Sequence, residues 1–218
     1  MSSSEQLTQL AHSAGVIPTL VIDDIDDAIP LGQALSDGGL SVLEVTLRTP
    51  VALQAIQRMR HTFPALTVGA GTVCDVETAA AARDAGAQFL VSPGYTAALG
   101  AYCRAQQLML VPGVATASEI MTALDDGYLF LKAFPATVIG GTRWLQAMHG
   151  PFQQARFCPT GGISAVELSD YLSLPNVLCV GGSWMTPSDA VQGKRWSQIT
   201  ALASDACKAR DSIRDARG

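Results

Sequence analysis

Eight short runs rich in β-formers recur every 20 to 30 residues or so along the chain, and Ala- and Leu-rich segments lie between them. The runs read "VIPTLVI" (16–22), "SVLEVTL" (41–47), "LTVGAG" (66–71), "QFLVSP" (88–93), "LMLVPG" (108–113), "YLFLKAF" (128–134), "RFCPTG" (156–161) and "VLCVGG" (177–182). Such spacing fits repeated βα units, and nearly continuous apolar character suits parallel strands buried on both faces. Intervening segments such as "VALQAIQRMRHTF" read as helices. Several end in glycine (Gly38–Gly39, Gly86, Gly127), as C-terminal caps should. Eight alternations predict a (β/α)8 (TIM) barrel, with a doubly wound open sheet as the alternative. An extra helix near residues 4–13 precedes the first strand. No low-complexity linker interrupts the chain, so residues 1–218 read as one domain.

Composition narrows the function classes. Hydrophobic residues make up 48% and charged residues 15%, enough for a large core. A net charge of −5 argues against nucleic acid as a partner. No apolar segment has the length of a membrane span, and the N-terminus lacks a signal-peptide pattern. The five cysteines show no C-x-x-C spacing and the three histidines lie far apart. The expectation is therefore reduced thiols in a cytoplasm and no metal site.

In a barrel, chemistry belongs at the C-terminal strand ends. By the period of two, Glu44, Thr46 and Arg48 share one face of strand two, while Leu43, Val45 and Leu47 share the other. In strand six the same parity puts Tyr128, Phe130, Lys132 and Phe134 together, opposite Leu129, Leu131 and Ala133. The chain has three lysines. Lys194 and Lys208 sit in polar surroundings, whereas Lys132 is embedded in "YLFLKAFPA". A lysine shut away from water gives up its proton more readily, because the charged form is disfavoured. The free amine attacks carbonyl carbons and forms a Schiff base. A structural lysine paired with a buried carboxylate is the competing reading, and Glu44 serves either role: proton carrier or ion-pair partner. Strands seven and eight run into "CPTGGIS" and "VGGSW", Gly-Gly turns followed by expected helix starts. Glycines let backbone N–H groups approach an anion, and Ser183 adds a hydroxyl. "GAGTV" brings Thr72 to the same end.

With these motifs the chain resembles the 2-keto-3-deoxy-6-phosphogluconate aldolase/4-hydroxy-2-oxoglutarate aldolase family over nearly its whole length. The markers are "GGLSVLEVTLRT", "VGAGTV", "AGAQFLVSPG", "LVPGVATASE", "KAFPA", "RFCPTGGIS" and "VLCVGGSW", in that order. The resemblance implies a metal- and cofactor-independent class I lyase on a (β/α)8 barrel, commonly a homotrimer. It implies a phosphorylated keto acid as substrate and pyruvate as product. It also assigns roles. Lys132 would be the Schiff-base lysine, and Glu44 the general acid/base, acting partly through a water. Arg48, Thr72 and Pro93 would line the pyruvate half, Arg48 pairing with the carboxylate. Phe134 would pack on the carbon chain and Thr160 would meet the hydroxyls. Gly161, Gly162, Gly182 and Ser183 would hold the phosphate. The chain departs from the family pattern at Ala133, where a bulky residue is usual, at Thr137 in place of Glu, and at "VIDD", where some members carry a basic residue. By parity Ala133 faces away from the interior, so a packing change is expected there. Competing readings are an aldolase for the galactonate epimer, a sugar-phosphate isomerase or epimerase with a non-covalent Lys132, and a non-catalytic phosphate sensor.

Overall fold

The computed structural model describes residues 3–215. Helix α1 (Ser3–Ala14) leads into strand β1 (Val16–Leu20), and the chain then alternates. It continues through α2 (Ala28–Asp37), β2 (Val42–Thr46), α3 (Ala52–Thr62), β3 (Thr67–Gly71), α4 (Val76–Asp84), β4 (Leu90–Val91) and α5 (Ala97–Ala105). Next come β5 (Leu110–Val111), β6 (Gly113–Val114), α6 (Ala117–Asp125), β7 (Phe130–Ala133), α7 (Gly141–His149) and β8 (Arg156–Pro159). The chain then passes through α8 (Leu168–Leu172), β9 (Val180–Gly182), α9 (Ser188–Gln192) and α10 (Trp196–Asp215). The expected glycine caps are present: Gly39, Gly86 and Gly127 have φ of 93°, 87° and 86°.

Every strand pairing is parallel. The strands form a six-stranded sheet in the order β5-β4-β3-β2-β1-β9 and a three-stranded sheet in the order β6-β7-β8. Neither order reverses as a doubly wound sheet does, so the open-sheet alternative is not what the chain adopts. The fifth run departs from expectation. Pro112 has no N–H to give to a ladder, and the run divides there into β5, which pairs with β4, and β6, which pairs with β7. Single parallel bridges, Phe157 to Val177 and Thr160 to Gly181, link the β8 side to the approach and start of β9.

Alternation along the strands sorts the apolar residues into two layers. One set, including Leu20, Leu43, Val45, Val68, Leu131, Ala133 and Phe157, packs with helix residues such as Leu35, Ile56, Met59 and Ile120. Ala133 therefore faces the helices, as parity required. The other set holds Ile17, Val42, Phe89, Val91, Val111, Phe130, Cys158 and Cys179, joined by Leu7, Ala11 and Ala14 of α1. The N-terminal helix thus lies against the inner face of the strands, at the end away from the polar residues. Its last carbonyls, which no helical N–H reaches, are met from α10. Arg210 donates to Ala14 O at 3.0 Å, and Arg214 donates to Ser13 O at 3.1 Å and to His12 O.

Candidate active site

Lys132 occupies the third position of β7, flanked by Gly113 on β6 and Cys158 on β8. Its side chain is 8% exposed and its Nζ lies 3.3 Å from Oε1 of Glu44, whose side chain is 4% exposed. This is the only ion pair among the described residues in which both partners are under a tenth exposed. The amine also stands 5.1 Å from the centroid of the Phe134 ring. Burial strips both charges of hydration; their mutual contact and the aromatic face return part of that cost. Lys194 and Lys208, by contrast, are 59% and 73% exposed, with Asp27 and Asp205 as partners.

Glu44 sits on β2, opposite Thr19 of β1 and Gly69 of β3. Beyond it, Thr46 Oγ1 donates to Leu20 O at 2.7 Å, Arg48 Nε donates to Thr46 Oγ1 at 3.2 Å, and Thr49 Oγ1 donates to Ile22 O at 2.6 Å. These bonds hold the segment after β2 against β1. Arg48 has no carboxylate partner among the described residues, so its charge is available to an incoming anion.

A cavity of about 530 Å³ opens over this pair. All eleven residues expected from the sequence line it: Lys132, Glu44, Arg48, Thr72, Pro93, Phe134, Thr160, Gly161, Gly162, Gly182 and Ser183. Thr72 has a φ of 61°, an uncommon conformation for a β-branched residue and one that concentrates at functional sites. At the glycine turn after β8, Thr137 Oγ1 donates to Gly161 O at 3.2 Å, and its hydroxyl fills the place that a Cβ on Gly162 would need. Thr137, one of the departures from the family pattern, thus braces the turn. Ser164 follows, donating through Oγ at 2.6 Å and through its backbone N–H at 3.0 Å to Oε2 of Glu167. The Ser164 hydroxyl, and then its N–H, hold the Glu167 carboxyl below the usual carboxylate range.

The cavity wall also contains residues that the reading of motifs passed over: Thr19, Ile163, Ser164 and Trp184. Thr19 was within reach, since period two in "VIPTLVI" puts it on the face of Ile17. Trp184 closes the "VGGSW" motif, and its indole lies over Gly182, where any Cβ would overlap it. Two expectations need correction. Tyr128 does not share the face of Lys132: β7 begins at Phe130, and Tyr128 packs edge-on against Tyr95 at 5.6 Å and donates to Gly100 O at 2.8 Å, on the helix side. Strand parity does not apply before the strand starts. Of the two expected Gly-Gly turns only Gly161–Gly162 is one, with φ of 103° and 79°, whereas Gly181 and Gly182 lie within β9. The expected helix start does follow the first, capped by Ser164 and opening as the 3₁₀ helix Ala165–Glu167 that continues into α8, while after "VGGSW" α9 begins only at Ser188.

An amine and a carboxylate enclosed at the C-terminal ends of parallel strands, with an unpaired arginine, the Gly161–Gly162 turn and the glycine end of β9 beside them, are the equipment of an enzyme for small anionic carbonyl compounds. The chain belongs to the KDPG and KHG aldolase family, whose model matches residues 7–202. It is 47% identical over 201 residues to 2-dehydro-3-deoxy-phosphogluconate aldolase of Pseudomonas aeruginosa, covering 92% of this chain and 91% of that protein. It is 46% identical to the KHG/KDPG aldolase of Escherichia coli K12, over 88% of this chain and 90% of that one. The crystal structure of KDPG aldolase from Legionella pneumophila, with pyruvate captured as a covalent carbinolamine, superimposes with a TM-score of 0.89 at 45% identity. It covers 91% of this chain and 97% of that chain.

Proposed function

We propose that the protein is a class I aldehyde-lyase that cleaves 2-keto-3-deoxy-6-phosphogluconate to pyruvate and glyceraldehyde 3-phosphate through a Schiff base on Lys132. 4-Hydroxy-2-oxoglutarate, which would give pyruvate and glyoxylate, is a second substrate on the same reading. The observation that carries it is the buried amine of Lys132, 3.3 Å from the Glu44 carboxylate and open to the cavity. The carbinolamine trapped in the Legionella relative supports the same covalent chemistry here.

In this mechanism the substrate carboxylate pairs with Arg48, with Thr72 and Pro93 around the three-carbon end. The Lys132 amine adds to the C2 ketone and water leaves, forming an iminium. The C3–C4 electron pair flows into that iminium while Glu44 takes the C4 hydroxyl proton, releasing the aldehyde and leaving the enamine of pyruvate. Protonation at C3 and hydrolysis return the free amine. Phe134 packs on the carbon chain, Thr160 meets the hydroxyls, and Gly161, Gly162, Gly182 and Ser183 hold the phosphate. Fixing both ends of the substrate brings the reacting centre into line, an effect that contributes about 7–11 kcal/mol in well-oriented systems.

The same reading takes residues 1–218 as one catalytic domain and the two sheets as arcs of one closed (β/α)8 barrel. Support comes from the bridges between β8 and the β9 side, and from the fact that β5 and β6 are consecutive pieces of one stave. It includes a cytoplasmic homotrimer; the exposed Val138 and Val166 are apolar surface that an assembly would cover. Among the described residues no helix is long and apolar enough to cross a membrane.

Borohydride reduction in the presence of pyruvate tests the chemistry. The expected result is one pyruvate-derived adduct, mapped by peptide mass to Lys132 and missing from Lys132→Ala. An adduct on another residue, or none, rejects the assignment.

A further inference from the structure

Glu44 pairs in register with Gly69 of β3, yet its carboxylate lies over Gly71, one inward-facing position nearer the mouth of the cavity. The place over Gly69 is already filled. The ring of Phe89 lies against the bare Cα of Gly69, where any Cβ would overlap it. Backbone bonds on both sides of Gly69 hold that ring in place. Gln88 N–H donates to Val68 O at 2.9 Å and Ala70 N–H donates to Phe89 O at 2.9 Å. Phe89 is 2% exposed. Strand alternation sets Gly69 and Gly71 on one face about 6–7 Å apart, with the ring over the first and the carboxylate over the second.

Behind the ring lies a narrow pocket of about 20 Å³, bordered by Glu44, Phe89, Phe130 and Cys158 and by Leu7 and Ala11 of α1. It has room for about one water, and a buried water needs two to four polar partners. Glu44 and Cys158 are the polar side chains on its wall, so the carboxylate finds no hydration on that side. Among the described residues Glu44 accepts one side-chain hydrogen bond, from Lys132. With a single polar partner, the place of the carboxylate is set by what packs against it. We propose that Phe89, backed by Leu7 of α1, is a positioning residue for the reaction. Its ring bars Glu44 from turning towards the N-terminal ends of the strands, and so keeps the carboxylate against Lys132 and open to the substrate.

This inference rests on the aldolase reading above, in which Glu44 takes the C4 hydroxyl proton. Phe89 does not line the catalytic cavity, so it acts through Glu44 and not on the substrate. A smaller side chain at position 89 would open space over Gly69 into which the carboxylate can turn, away from the amine. A misplacement near 1 Å in a catalytic group costs on the order of 100-fold. An effect carried by Glu44 disappears once that residue no longer moves a proton, whereas a general loosening of the strands persists. A double-mutant cycle separates the two.

The cycle compares wild type, Phe89→Leu, Glu44→Gln and the double variant, by steady-state cleavage of 2-keto-3-deoxy-6-phosphogluconate and by borohydride trapping of pyruvate. Phe89→Leu is expected to lower kcat at least about tenfold while pyruvate is still trapped on Lys132. In the Glu44→Gln background the same change should alter kcat by less than about twofold. Unchanged kcat in Phe89→Leu, or equal falls in both backgrounds, overturns the positioning role and leaves the aldolase reading standing. Leu7→Ala, on the α1 side of the pocket, goes through the same cycle and is expected to lower kcat in the wild-type background only. It carries the decision by itself should Phe89→Leu fail to fold, and equal falls in both backgrounds overturn the role there too. A wild type that does not cleave the substrate, or a Glu44→Gln variant with wild-type kcat, removes the assignment of Glu44 and this inference with it.

Discussion

The carboxylate of Glu44 lies across the bare Cα of Gly71, so a methyl group added to Gly71 would overlap Oε1. The two residues belong to adjacent strands, and the second glycine of "GAGTV" is what leaves room for the carboxylate beside Lys132. Gly71→Ala should therefore fold and still push Glu44 away from the amine. A displacement near 1 Å in a catalytic group costs on the order of 100-fold, so kcat should fall at least about tenfold with little change in thermal unfolding. Wild-type kcat in this variant would show that the close approach is irrelevant to the chemistry.

Glu44→Gln keeps the shape and removes the carboxylate proposed to carry the proton. General acid–base contributions are about 10²–10⁴-fold. We expect kcat to fall by that order while pyruvate still forms its borohydride-trapped adduct on Lys132. An unchanged turnover number would assign Glu44 a structural role.

Ser183→Ala removes a hydroxyl at the wall of the glycine cradle. KM for 2-keto-3-deoxy-6-phosphogluconate should rise about tenfold, the worth of one hydrogen bond to a charged group. KM for 4-hydroxy-2-oxoglutarate, which has no phosphate, should not move. Steady-state kinetics on both substrates make the check, and equal rises would count against a phosphate contact.

Glu167 is held below the ordinary carboxyl value of 4.5 by Ser164, in a reciprocal cap at the edge of the cavity. A folded value below the unfolded one means that the cap's charge-dependent stabilisation is complete above the unfolded value. It is lost as pH falls through the folded one. Urea unfolding should therefore show wild type more stable than Glu167→Gln near neutral pH, with the gap closing below about pH 4. A gap independent of pH would place the effect in packing.

Much of the site was visible as local pattern. Lys132 stood out because an amine inside "YLFLKAFPA" contradicts its apolar neighbours, and Glu44, Thr46 and Arg48 fell on one face by simple alternation. The Gly161–Gly162 turn was legible because few residues other than glycine tolerate its positive φ; Gly181 and Gly182 instead lie in β9, where bare Cα atoms make room for Thr160 and Trp184. Parity failed at Tyr128, where no strand yet existed to enforce it. The break at Pro112 is not legible in "LMLVPG", because a missing N–H matters only once a neighbouring strand is there to receive it.

Apolar periodicity, a property of neighbours a few positions apart, determined the alternation of strands and helices, the face each strand turns inward, and the identity of the amine and carboxylate. Only the tertiary structure decided that those two groups, 88 residues apart in sequence, meet at 3.3 Å, that Gly71 makes room for Glu44, and that Phe89 fills the place over Gly69. Strand register and helix packing bring such distant residues together, and no local window of sequence contains either.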